Sequence, residues 1–80
     1  MVEVMTSEDY FNWAAEYRQD AEAIEECIRK KEKLLKGNLK TTERQAAEMA
    51  LINYLESRCQ CLSIAKELEE IAAAIREKEG

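Results

Sequence analysis

Histidine and proline are absent from this 80-residue chain, glycine occurs twice, and the aromatic residues are one Trp, three Tyr and one Phe. Without histidine there is no Ser/His or Cys/His nucleophile pair, no imidazole acid–base catalyst and no Cys/His zinc site. β-Branched and aromatic residues are few and turn residues barely occur, so the chain has little with which to specify a sheet. No window approaches 18 uninterrupted apolar residues, which leaves nothing to span a membrane. The stretch Met1 to Tyr10 carries Glu3, Glu8 and Asp9, and no basic segment followed by an apolar run, so it does not read as a signal peptide. The cytoplasm is the expected compartment, where the three cysteines stay reduced.

What is present points to helices. Apolar residues make up 46% of the chain and charged residues 36%, with 12 basic and 17 acidic side chains. That mixture of Ala, Glu, Lys, Leu and Arg suits long or coiled helices and holds too many apolar residues for disorder. A chain this short is one domain with a thin core, and help from a partner is expected.

The one interruption is Gly37-Asn38. Both residues tolerate the left-handed conformation that closes a helix, and Lys33 and Lys36 occupy the preceding turn, where cations complement the helix dipole. Thr41 and Thr42 follow as N-caps, with Thr42 and Gln45 spaced as a capping box. Thr6 or Ser7 plays that part for the first helix. The sequence therefore predicts helices over roughly residues 7–36 and 42–78, with a turn at 37–41.

Apolar residues recur in alternating steps of four and three. The first helix reads Tyr10, Ala14, Tyr17, Ala21, Ile24, Ile28, Lys31, Leu35. The second reads Ala47, Leu51, Tyr54, Arg58, Cys61, Ala65, Leu68, Ala72, Ile75. These are heptad seams interrupted only by Lys31 and Arg58. Two seams and a short turn predict an all-α fold, an antiparallel two-helix hairpin. A turn centred near residue 39 would set Tyr10 against Leu68, Tyr17 against Cys61 and Ile24 against Tyr54. Phe11, Trp13 and Cys27 flank the first seam, and Ile52, Leu55, Leu62, Ile64 and Ile71 widen the second beyond a two-helix contact. So broad a stripe calls for a second layer, expected here as a homodimer forming a four-helix bundle.

Candidate chemistry is sparse, and no catalytic, cofactor or metal residues are assigned. Cys59 and Cys61 point about 200° apart on a helix and cannot share a metal. Cys27 lies too far along the hairpin from Cys59 for the roughly 7 Å Cα limit of a disulfide. Glu25–Arg29, Glu26–Lys30 and Arg18–Glu22 read as helix-surface ion pairs. Lys31 and Arg58 at seam positions either snorkel and fix register or, for Arg58, hold a small carboxylate or phosphate, with Asp20 near its level.

Two surfaces remain as partner sites. Tyr10, Phe11, Trp13 and Tyr17 concentrate the aromatics near the open end, where Trp13 would anchor another protein. Charge is segregated: residues 1–28 hold eight acids and one base, a net of −7; residues 29–44 hold seven bases and two acids, a net of +5; the remainder nets −3. The hairpin thus has a basic tip of Arg29, Lys30, Lys33, Lys36, Lys40 and Arg44. That tip either opposes the acidic end of a second copy or contacts nucleic-acid phosphates, though the overall net of −5 opposes broad nucleic-acid affinity. The leading expectation is a non-enzymatic interaction module. An accessory nucleic-acid factor is the alternative, and a small ligand-binding protein around Arg58 the weaker one.

Overall fold

The computed structural model describes residues 4–79. It is all-helical: α1 runs Ser7–Leu35 and α2 runs Thr41–Glu79, packed antiparallel along their lengths. Helix α1 starts where Thr6 accepts a hydrogen bond from the Asp9 backbone N–H and the Asp9 carboxylate accepts one from the Thr6 N–H, a reciprocal capping box. Helix α2 starts one residue earlier than the sequence predicts. The Lys40 carbonyl accepts the first bond of the helix, from Arg44 N–H, and the Glu43 carboxylate reaches back to Lys40 N–H, so Thr42 and Gln45 lie inside the helix.

Every predicted seam residue is buried or half-buried, in the order the heptads require. The fully buried apolar set is Ala14, Ala21, Ile28, Ala47, Ala65, Leu68 and Ala72, with Ser7 extending the seam at the open end. Alanine dominates, and small side chains let helix axes approach toward the short end of the usual 8–10 Å. Tyr10 and Tyr17 then pack over the cluster of Ala14, Ala65 and Leu68.

The polar contacts that cross the seam lie eight and nine residues beyond the predicted pairing, more than two helical turns along α2. A turn centred near residue 39 would set Ser7 opposite residue 71 and Arg18 opposite residue 60. Instead Ser7 donates to Glu79 and Arg18 to Glu69. Interlocked heptads place each a position against a d position of the antiparallel partner, and this admits only registers seven residues apart. Ala14 clusters with Ala65 and Leu68, and Arg58 lines a cleft with Ala21, Glu22 and Glu25. Residues 36–40 run past the end of α1 beside the first turn of α2.

The turn also closes differently from the expected left-handed cap. Among the described residues no φ is positive, and the cap residue Lys36 sits at φ −79° and ψ −14°. Its N–H and that of Gly37 make tight bonds to Lys33 and Leu34 carbonyls. The Arg44 guanidinium supplies the remaining donors, to the Leu35 carbonyl at 3.2 Å and the Gly37 carbonyl at 3.4 Å. A side chain nine residues downstream thus satisfies terminal carbonyls that a left-handed residue would otherwise leave to the backbone.

Two substitutions test this closure. A Cβ on Gly37 meets only the Leu34 carbonyl oxygen, at an ordinary 3.5 Å. Gly37→Ala should therefore stabilise by about 0.4–1 kcal/mol in urea unfolding, through the unfolded chain's reduced entropy. A loss of stability would mean that the turn needs glycine's conformational freedom. Arg44→Ala should destabilise by about 1–3 kcal/mol, the range for hydrogen bonds from a charged donor; an unchanged midpoint would show the guanidinium to be dispensable.

Candidate functional site

Two helices side by side form a slab of 58 × 23 × 13 Å. The seam occupies its interior, so the remaining apolar residues fall on two broad faces according to which side of the heptad they flank.

On the first face lie Phe11 and the middle of α2. The Arg76 guanidinium sits over the Phe11 ring, 4.8 Å from its centroid. Next comes Arg18, which grips Glu69 with two parallel bonds of 2.8 and 2.7 Å. The sequence reading paired Arg18 with Glu22; the bidentate fork to a facing helix wins because it satisfies both carboxylate oxygens at once. That hydrogen bond, reinforced by the opposite charge, holds the Glu69 carboxyl below its ordinary range and raises Arg18. Toward the tip follows a cleft of about 200 Å³ lined by Arg18, Ala21, Glu22, Glu25, Arg58 and Leu62. It adjoins a shallow groove bounded by Leu55, Arg58, Cys59 and Leu62.

Arg58 therefore shares its cleft with Glu22 and Glu25, and not with Asp20, which lies on the other face. Asp20 follows Trp13 by seven residues and so shares its side of α1. Among the described residues Arg58 makes no ion pair within 4 Å, and a small anion entering this cleft would meet two carboxylates. Lys31, the other polar seam residue, lines an apolar groove of about 340 Å³ with Leu34, Leu39, Glu43, Ala46 and Ala47. Its aliphatic stem covers apolar surface there, as a snorkelling lysine does.

The opposite face carries Trp13, Ile64 and Ile71, all substantially exposed, with Trp13 at 41%. The four clustered aromatics thus divide among three environments: Tyr10 and Tyr17 turn into the seam, Phe11 lies under Arg76, and Trp13 alone faces outward. Its ring stays within 6.3 Å of Tyr10 and 6.5 Å of Tyr17, centroid to centroid, which fixes its orientation.

At the tip the expected basic cluster is partly consumed. Arg29 pairs with Glu25 at 3.3 Å, and Arg44 is committed to the end of α1. Lys30 and Lys33 line a groove of about 520 Å³ with Leu34, Gly37, Asn38 and Leu39, and Lys36 and Lys40 are exposed. The Arg44 fork, a group well shaped for phosphate, is engaged within the chain through both terminal nitrogens, while Arg29 spends one nitrogen on Glu25.

Cys27 and Cys61 are half-buried, Cys59 is exposed, and all three are free thiols. Among the described residues no group of three or more His, Cys, Asp or Glu side chains converges on a metal position, and no helix is long and apolar enough to cross a membrane. Arg44 as a cap and Arg76 over Phe11 escaped the sequence reading. Both depend on the offset between the helices, for which spacing along one helix carries no signal. Comparison with family models, curated proteins and solved structures finds no match to this chain.

The Arg18–Glu69 pair has a measurable consequence. Because the folded Glu69 carboxyl titrates lower than the unfolded one, its contribution to stability is present above the ordinary glutamate range and is lost as pH falls through the depressed value. Carboxyl NMR titration should show Glu69 protonating below the ordinary glutamate range, and Arg18→Ala should return it to that range. Equal titration in both proteins would show that the crossing pair does not persist in solution.

Proposed function

We propose that this chain is a non-enzymatic interaction module of the cytoplasm: a helical hairpin that pairs with a second copy into a four-helix bundle and presents the Trp13 face to another protein. The observation that carries this reading is the apolar surface left after the seam is filled. Trp13, Leu34, Met49, Ile52, Leu55, Ile64 and Ile71 all stay exposed. The hairpin exposes 6468 Å², against about 4,900 Å² for a globular chain of its mass. Its radius of gyration is 18.0 Å, against about 12 Å for a compact domain of 80 residues. Exposed apolar patches of this extent mark contact surfaces, and a two-fold pair is the commonest way for one chain to cover its own.

Two features support Trp13 as the anchor for a further partner. It is the large aromatic residue left outward, and its neighbours Tyr10 and Tyr17 hold it in place, so docking costs little side-chain entropy. Phosphate contact through the tip draws less support, because Arg44 is committed to the turn, Arg29 faces the Glu25 carboxylate and the chain nets −5. A ligand site at Arg58 draws less still, given the two carboxylates in its cleft.

Sedimentation equilibrium at micromolar concentration should give twice the 9.2 kDa chain mass. A mass of one chain with undiminished helicity removes the dimer. In the dimer, acrylamide should quench the fluorescence of Trp13 efficiently, because its face stays open. A shielded Trp13 would place that side chain inside the dimer contact and remove the docking surface.

A further inference from the structure

We infer that the second copy docks on the Phe11 side of the slab, through α2 running antiparallel to its own symmetry mate about a two-fold axis beside Ser57. This rests on the dimer reading above and assigns it a face, a direction and a set of contacts.

Helix α2 carries a second stripe beside the seam that holds α1. It reads Gln45, Glu48, Ile52, Leu55, Cys59, Leu62, Lys66, Glu69, again in alternating steps of three and four. Ile52 and Leu55 are 56% and 45% exposed, Cys59 is exposed, and Leu62 is half-buried at the edge of the same groove. Ile52, Leu55 and Cys59 are open, and Leu62 borders the cleft that Arg18, Ala21, Glu22 and Glu25 line. Spacing of this kind is what a helix needs to interlock with another helix.

The stripe also matches itself when reversed. With the axis beside Ser57, Leu55 meets Cys59 of the second copy, Ile52 meets Leu62, and Glu48 meets Lys66. Each contact occurs twice, as an isologous interface requires. Apolar residues thus fall on apolar residues at the centre, and an acid on a base at each end. A parallel arrangement would bring Glu48 against Glu48 and Lys66 against Lys66, like charges that oppose association. On the other face, a two-fold axis at nearly the same level sets Ile64 against Asn53 and Ile71 against Ala46.

Charge and area agree with this arrangement. Antiparallel pairing lays each tip, net +5 over residues 29–44, toward the open end of the second copy, whose residues 1–28 net −7. The cleft that would be covered holds Arg18 and Arg58 with Glu22 and Glu25, so its charges balance. Residues 45 to 69 extend about 36 Å along the helix. A patch of that length and the slab's 23 Å width covers on the order of 800 Å², the share each partner contributes to a standard interface.

The test is sedimentation of charge-reversed and core variants, each checked for helicity by circular dichroism. Leu55→Glu should weaken dimerisation at least 100-fold while leaving the hairpin helical, since Leu55 is outside the α1–α2 seam. Glu48→Lys and Lys66→Glu should each weaken it about 3- to 10-fold, from two like-charge contacts per dimer. The double variant should return to within about twofold of the parent, because the exchanged charges meet again. A dimer indifferent to Leu55→Glu, or a double variant weaker than either single, overturns this face and leaves the dimer itself standing. A parent chain that sediments as a monomer removes the dimer reading altogether.

Discussion

The packing of two helices along a heptad seam whose most buried positions are mostly alanine is the constraint on which the rest of this structure depends. Alanine fits where larger residues would force the axes apart, but it removes little apolar area from water. At ~25 cal/mol per Å², the gain per residue is a fraction of that from leucine. The hairpin is consequently held by length. Buried and half-buried positions recur over most of the 39 residues of α2, and the larger side chains Ile28, Leu68, Tyr10 and Tyr17 pack into or over the seam.

A narrow seam has a further effect on surface chemistry. Beyond the seam, Trp13, Ile52, Leu55, Ile64 and Ile71 stay exposed on the flanks, where they occupy both broad faces. The polar groups at those flanks do the positioning. Arg18 and Glu69 fix the helices against sliding near the open end, and Ser7 with Glu79 fixes them at the end itself. Exposed ion pairs contribute modestly to stability, so their role here is to choose among registers that the alanines alone would leave close in energy.

Helix existence, helix boundaries to within one residue, and every seam position were legible from spacing, because heptad periodicity is a property of each helix by itself. The offset was not legible. It depends on how far residues 36–40 travel before α2 begins, and on Arg44, whose guanidinium closes the turn from outside it. The unread offset hid the pairing of Arg18 with Glu69, and the side of α1 that Asp20 shares with Trp13 separates it from the cleft of Arg58. The clustering of Tyr10, Phe11, Trp13 and Tyr17 in sequence likewise concealed their separation in space, since four residues within eight positions of a helix point in different directions. The charged tip was legible as composition, but its arginines are used inside the chain.

The Arg44 clamp joins residues only nine apart, whereas Ser7 and Glu79 at the other end are separated by 72. Loop-closure entropy rises with that separation, so the two ends form under very different conditions. The tip can close while most of both helices is still fluctuating, and each added turn then brings the next alanine layer within reach of its partner. Assembly accordingly advances like a zipper from the clamp outward, with contacts that stay local to the growing edge, the topology associated with rapid folding. Opening runs in reverse, and the end that carries the acidic residues and Trp13 is the first to part.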